Sequence, residues 1–407
     1  MSRSITPTES LYLTIEKSLG PFSILRVIRG SFSDQNSILL TIRGAWDFAT
    51  RYHPNFRLVL RGNIWVENEE GWHAPINIEH RNIDLGEVPY LTSLDSYESN
   101  VRLWVFQDAL IFQASHAITD GVGIQRLIER FFDRMKISFG EDLNVSLKDL
   151  SNNSNLNHCT ERQIASKFRI KPRFFIPKID QYFNRKSIIN TEIISNHAAW
   201  NYKQIRLENV LHEEGSDKLL PILMLKISHW LRSLHPNNTI RFMLPVDLRK
   251  YDNTLEMDGN LSLPLWFDLN GDEGVTELSE DIRFKIKNKV VLRNADPWWL
   301  SGKLLSKIRN FVFVQLVNRC SKRDCFPVSV VISFLGKYNV ENYHFPGFKC
   351  ESVWSTALFS GIAPIQIHVT YDEENLQLHL SYYKQYFTQN DISALFTGLS
   401  SPPVNQG

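Results

Sequence analysis

Cysteine is scarce: four residues in 407, too few and too irregularly placed for a disulfide framework. Cys159, Cys320, Cys325 and Cys350 read as reduced thiols. The spacing of Cys320 and Cys325, without other ligands nearby, is a poor zinc pattern, so no metal is expected. No apolar run is long enough to span a bilayer. The opening Met1-Ser-Arg-Ser-Ile-Thr-Pro7 has no apolar core of signal-peptide length. These absences imply a cytoplasmic protein without stable membrane insertion. Net charge is lacking as well. Lys+Arg 45 against Asp+Glu 44 leaves +1, which argues against a nucleic-acid partner. No internal repeat is visible.

What is present is a hydrophobic fraction of 43%, enough for a sizeable core, in a chain long enough for two lobes. The pattern of apolar residues gives the elements. Ser10 to Arg29 reads as short strands around the Gly20-Pro21 turn. Asn36 is a candidate cap for a helix that turns Ile38, Leu39, Ile42, Trp46 and Ala49 inward. Phe56 to Glu67 and its neighbours, around Glu69-Glu70-Gly71, read as a hairpin. Leu103–Phe106 and Ala109–Ala114 are two buried strands joined by a tight turn at Gln107-Asp108. Ile124, Leu127, Ile128, Phe131, Phe132 and Met135 then recur at helical spacing, to an end near Gly140.

Polar Ser151–Asn157 reads as an exposed loop, and Phe168 to Arg185 as the crossing between lobes. Lys167, Arg169, Lys171, Arg173 and Lys178 there suit a solvated basic face better than a phosphate site. Further on, a strand near Trp200–Leu207, a helix over Asp217–Leu234 and a strand over Thr239–Val246 are expected. Pro221 falls in the first turn of that helix, where proline is tolerated. Asp296-Pro297 signals the start of a basic, aromatic helix to Val317. It suits packing across the second lobe better than a membrane surface. Pro327–Ser333 is a buried strand, and Ile365–Asp372 with Leu376–Tyr383 is a hairpin. Thr388 caps a last helix before a disordered tail over 401–407.

The chemistry concentrates in Gln113-Ala-Ser-His116-Ala-Ile-Thr-Asp120-Gly121. His116 ends a buried strand and Asp120-Gly121 opens a helix. A histidine near neutrality there is able to take a proton from a reacting hydroxyl or amine. Asp120 is able to hold the turn through backbone amides or a cation. Gly121 lets the backbone bend without crowding. The plain alternative is that Asp120 is only an N-cap and His116 a satisfied core histidine.

Further segments give the motif a context. They are His53-Pro54-Asn55-Phe56-Arg57, Phe242-Met-Leu-Pro245-Val246-Asp247-Leu248-Arg249, Gly259-Asn260 and Val330-Val-Ile-Ser333-Phe-Leu-Gly336. In this order the chain resembles the condensation-domain and His-x-x-x-Asp acyltransferase superfamily, which shares the chloramphenicol acetyltransferase fold. The resemblance spans nearly the full chain on short motifs. Ser115 replaces the first of the tandem histidines common in condensation domains, and the Asp-Phe-Gly-Trp-Gly signature of plant-type relatives is absent.

The resemblance implies an α+β protein of two lobes, each a mixed sheet with flanking helices and an active-site channel between them. Residues 1–180 would form the first lobe and 181–400 the second. It implies acyl transfer from acyl-CoA or a carrier-protein phosphopantetheinyl thioester to a small alcohol or amine, in natural-product or lipid-type biosynthesis. No bound cofactor is required. His116 would be the general base, with Asp120 paired to Arg249 behind it and Gly121 at the turn. Ser115 and Ser333 are candidates for oxyanion or channel roles. An inactive docking module and a peripheral membrane enzyme acting on a lipid alcohol are the rival readings. No adenylation or carrier domain is recognised, so a peptide-synthetase role would be in trans.

Overall fold

The computed structural model describes all residues except 1, 20–21, 69–70, 85–87, 89–90, 92–93, 141–167, 169–178, 185–197, 212–213, 237–238, 253–258, 295–302, 358–361 and 402–407. From the N-terminus, β1 (Ser2–Ser4) leads to α1 (Pro7–Leu19), β2 (Ser23–Phe32) and α2 (Gln35–Tyr52). The hairpin β3 (Leu58–Arg61) and β4 (Ile64–Glu67) precedes β5 (Ile76–Ile78), β6 (Val101–Val105) and β7 (Ala109–Ser115), which runs into α3 (Gly121–Ser138). Then come β8 (Gln181–Tyr182), β9 (Ala198–Arg206), α4 (Leu207–Leu211), α5 (Leu219–Leu234), β10 (Ile240–Asp247) and β11 (Ser262–Leu269). After α6 (Val275–Lys287) and α7 (Lys303–Arg323) follow β12 (Cys325–Phe326), β13 (Val330–Lys337), β14 (Phe348–Ala357), β15 (Ile365–Tyr371), β16 (Asn375–Tyr383) and α8 (Gln389–Ser400).

Two sheets organise the molecule. One has five strands in the order β14-β2-β7-β6-β5, the other six in the order β11-β10-β13-β15-β16-β9. The five-stranded sheet thus takes β14 from late in the chain, beside β2. Its helix-covered face packs Ile24, Ile28 and Phe112 against Trp46 of α2 and Ile124, Leu127 and Phe131 of α3. The six-stranded sheet sets Ile365, Ile367, Val369, Leu376, Leu378 and Leu380 against α5 and α8.

The alternate residues of β15 and β16 are polar, a pattern that ordinarily marks a sheet face turned to water. Here Gln366, His368, Thr370, Gln377, His379 and Ser381 are between 0% and 8% exposed. They face β14. Thr370 Oγ1 donates to Val353 O at 2.9 Å, and the His379 ring stacks on Trp354 at 5.2 Å. Ser333, His368, His379 and Tyr202 form one row across the sheet by strand register. A buried polar layer therefore runs between the two sheets.

Several expectations change. Ser10–Leu19 is helix, not strand. Thr6 and Glu9 form a reciprocal cap, with Thr6 N–H on Glu9 Oε2 at 2.8 Å and Glu9 N–H on Thr6 Oγ1 at 3.3 Å, and Pro7 opens the helix. The cap of α2 is Asp34, not Asn36; its Oδ1 accepts from Asn36 N and Ser37 N at 3.1 and 3.4 Å. The β3–β4 hairpin turns at Gly62-Asn63, where Gly62 has φ +62°, while Glu69 and Glu70 of the expected turn lie outside the described residues. The basic helix lies against α1 as well as the second core. Arg309 and Asn310 of α7 are buried, and Asn310 Nδ2 donates to Ser10 O at 2.9 Å and Thr14 Oγ1 at 3.0 Å. The Ser151–Asn157 loop, the five basic residues from Lys167 to Lys178, the Asp296-Pro297 start and the tail from 402 lie outside the described residues. Among the described residues no helix is long and apolar enough to cross a membrane.

Candidate active site

β7 is a central strand, paired with β2 and β6, and every residue in it is buried. Such a strand delivers the residue after its end to a fixed place. His116 N–H donates to Phe22 O at 3.0 Å, and Ile118 N–H to Ser115 O at 3.1 Å, which closes the turn. The imidazole of His116 stacks on Phe22 (centroids 4.8 Å, planes 7° apart) and meets Tyr12 of α1 at 4.7 Å.

The Asn260 amide bears on the ring's proton. Asn260 Nδ2 donates to His116 O at 2.6 Å and to Ala117 O at 3.3 Å. Carbonyl oxygens only accept, so the amide nitrogen must face them and Oδ1 must face the imidazole. Oδ1 lies 3.1 Å from His116 Nδ1. Nδ1 therefore carries the proton in the neutral ring, and the lone pair is on Nε2. Burial lowers the His116 pKa below its ordinary value, against the opposing pull of its own carbonyl, Asp120 and Asn260. The neutral, basic form prevails at physiological pH.

Asp120 is both a helix cap and an ion-pair partner. Its Oδ1 accepts from Val122 N at 3.2 Å and Gly123 N at 3.0 Å, opening α3. Its Oδ2 accepts from Leu261 N at 2.8 Å, and Arg249 Nη1 lies 3.0 Å away. Arg249 also pairs with Asp247 at 2.9 Å and donates from Nη2 to Gly259 O at 2.7 Å. Asp120 is 2% exposed and Arg249 8%. The knot fastens α3 to the start of β11, and Asn260 is the residue before Leu261. Asp120 thus reaches His116 through Leu261 and Asn260 rather than by touching the ring.

Gly121 has no left-handed backbone. What it supplies is space, since a Cβ there would sit 3.2 Å from Leu335 Cδ2 of β13. Ser115 is fully buried, and its Oγ accepts from Ala117 N at 3.3 Å, so its hydroxyl is engaged in the turn. Ser333 is half-buried on β13, the register neighbour of His368, and on the polar face. The site thus holds His116, Asp120, Gly121, Arg249 and Asn260 together. Asn260 stands out in the sequence only within the Gly259-Asn260 pair. His368 and Arg26 give no sequence signal, because each acquires its surroundings from strands distant in the chain. Among the described residues no group of three His, Cys, Asp or Glu side chains is placed to hold a metal ion.

The buried histidines have a measurable consequence. Burial, with His116 and Arg26 nearby, pushes His368 down to about 3, and burial pushes His379 far below its ordinary value. The unfolded chain binds these protons near pH 6.5, while the folded chain refuses them. Stability is therefore full above pH 6.5 and falls as pH drops from there towards 3, by up to about 1.4 kcal/mol per pH unit per histidine. Glu16, pushed up to about 7 by burial and Asp95, works in the opposite direction, against the lowered His116, His368 and His379. The urea midpoint should decline between pH 7 and 5; a flat or rising midpoint would contradict the buried neutral histidines.

No protein-family model matches this chain, and no curated protein matches its sequence. Solved structures do match its shape. Polyketide synthase associated protein 5 from Mycobacterium tuberculosis superposes with a TM-score of 0.67 at 13% identity, covering 100% of this chain and 98% of that one. The chain has the condensation-domain fold. The condensation domain of the Monacolin K polyketide synthase MokA matches with a TM-score of 0.61 at 11% identity, over 98% of this chain and 97% of that one. A mutant starter condensation domain of rhizomide synthetase RzmA, solved in complex with C8-CoA, matches with 0.62 at 9% identity, over 98% and 93%. In this fold the His116 turn meets Ser262 of β11 through Asp120 and Leu335 of β13 through Gly121.

Proposed function

We propose that the protein is an acyltransferase that moves an acyl group from a thioester to a hydroxyl or amine, with His116 as general base. The observation that carries this reading is the Asn260 amide, whose two carbonyl contacts support a lone pair of His116 on Nε2. The buried polar layer beside it suits a channel between a first lobe of residues 1–180 completed by β14 and a second lobe from the rest of 181–400, with the donor entering from one face and the acceptor from the other. Structural neighbours were solved with C8-CoA, in one case together with Leu-SNAC, which supports a thioester donor. The donor is acyl-CoA or a carrier-protein phosphopantetheinyl thioester, and the setting is natural-product or lipid-type biosynthesis in the cytoplasm.

In the reaction, Nε2 takes the proton of the acceptor O–H or N–H as that atom bonds to the thioester carbonyl carbon. The tetrahedral oxyanion collapses, the C–S bond breaks, and the imidazolium returns its proton to the departing thiolate. An ester or amide and a free thiol result. The amides of Val122 and Gly123 are committed to Asp120, so the oxyanion donor is sought in the Gly121 amide, Ser115 and Ser333. The protein mixed with an acyl thioester and a panel of alcohols and amines should turn over at least one pair. Donor alone should give no covalent adduct by intact mass, and Ser115→Ala should change the rate little. An adduct that vanishes in Ser115→Ala would replace direct transfer by a serine nucleophile. No turnover across the panel would favour the inactive docking module.

A second reading, a peripheral enzyme acting on a lipid alcohol, draws on the outer face of α7. Ile308, Phe311 and Val312 are 48%, 65% and 57% exposed, beside exposed Lys307, Arg319 and Lys322. α7 contains no acidic residue. On this reading the protein floats with anionic vesicles and Phe311→Ser does not; absence of flotation discards it.

A further inference from the structure

Arg26 lies mid-way along β2, between Ile24 and Ile28, whose side chains enter the core under α2 and α3. A guanidinium at such a position needs a counter-ion, because a buried unpaired charge is costly. Arg26 is 5% exposed, and its Nε has no hydrogen-bond partner among the described residues. Its electrostatic neighbours are Tyr343, Glu129 and Tyr338. Only Glu129 is an acid, and it is exposed to solvent and held by Gln125 Nε2 at 2.9 Å. Arg26 lines a cavity of about 550 Å³, together with Gly121, Gln125, Glu129, Leu335 and Tyr343. The cavity also meets the N-terminal turn of α3, which Asp120 caps.

We propose that this cavity binds a carboxylate-bearing reactant, with Arg26 as the fork that receives the carboxylate; this rests on the acyl-transfer reading above. His116 does not itself line the cavity, but Gly121 of its turn does, and His116 and Arg26 are both electrostatic neighbours of the buried His368, so the bound molecule sets its reacting end towards His116 and its carboxylate on Arg26. A planar guanidinium matches a carboxylate with two parallel hydrogen bonds. A phosphate dianion calls for a second free cation, and the Lys337 of this cavity is already paired with Glu373 at 2.6 Å. The carboxylate belongs either to the acyl group, as in a dicarboxylic half-thioester, or to the acceptor, as in an amino or hydroxy acid.

N-acetylcysteamine thioesters carry no phosphate and separate the sources. In one arm, succinyl thioester is compared with its methyl ester on a neutral amine. In the other, an uncharged acyl thioester is offered to glycine and to glycinamide. In one arm kcat/KM should favour the acid by about tenfold to a hundredfold. Arg26→Gln should abolish that preference. Binding of N-acetylglycine against N-acetylglycinamide, by calorimetry on the parent, reads the site without turnover and without a variant. Tighter binding of the acid with no turnover in any arm would refute the acyltransferase and keep the carboxylate site. Equal binding of acid and amide, or a preference that survives Arg26→Gln, would overturn the site itself.

Discussion

Asp120→Ala should lower stability by about 3 kcal/mol and remove most of the activity. Breaking a buried ion pair by deleting one member typically costs about 3–5 kcal/mol, since the other charge is left behind. The lower figure applies because Arg249 keeps Asp247 at 2.9 Å. The same carboxylate caps α3 and accepts from Leu261 N, so its loss frees the segment that carries Asn260. Activity should fall with stability, although Asp120 touches no reacting atom. Asp120→Asn separates the contributions. Asparagine caps a helix as well as aspartate does, so this variant should lose the charge and keep the turn, melting between parent and Asp120→Ala. Equal melting of Asp120→Ala and the parent would mean that the knot is not formed in solution.

How far the sequence reaches depends on the range of the physics. The strand–turn–helix around His116 was readable because its signals are local: an apolar run, a cap residue, a glycine and a helical repeat from Ile124 to Met135. The Asp120–Arg249 pair came from resemblance alone, since nothing in either segment announces the other across 129 positions. α1 escaped because Leu11-Tyr-Leu-Thr-Ile15 has strand-like residues before a Gly-Pro turn, yet Thr6-Pro7-Thr8-Glu9 carries a legible capping box. The Gly62 turn was missed because Gly71 and Gly62 are equally good turn residues, and it is strand register that places the β3–β4 turn at Gly62.

The polar faces of β15 and β16 were the least legible. Alternation tells which residues share a face, but not whether that face meets water or another sheet. Gln377 and His379 look like surface residues in the sequence and are each 1% exposed in the fold. Arg26 is similar: a charge in a strand reads as an edge or a solvent face until β14 and α3 close over it.

His116→Ala should lose roughly 10²–10⁴-fold in kcat/KM, about 3–5 kcal/mol of transition-state stabilisation, and keep its fold. The ring makes no ion pair, so its removal strands no charge; Asn260 keeps its two carbonyl contacts. The same geometry sets the pH dependence. Because burial lowers the His116 pKa, the acidic limb of kcat/KM should lie below the ordinary value of about 6.5. Asn260→Asp places a carboxylate where the amide oxygen sits 3.1 Å from Nδ1, and an adjacent anion favours imidazolium. The limb should move to higher pH, so that activity at pH 7 falls and is recovered as pH rises. Asn260→Ala should lower kcat more than it changes KM, since it removes orientation and not substrate contact. A purely structural Asn260 would depress the rate equally at every pH. A limb that stays in place in Asn260→Asp, with His116→Ala near parental activity, would show that the proton is taken elsewhere.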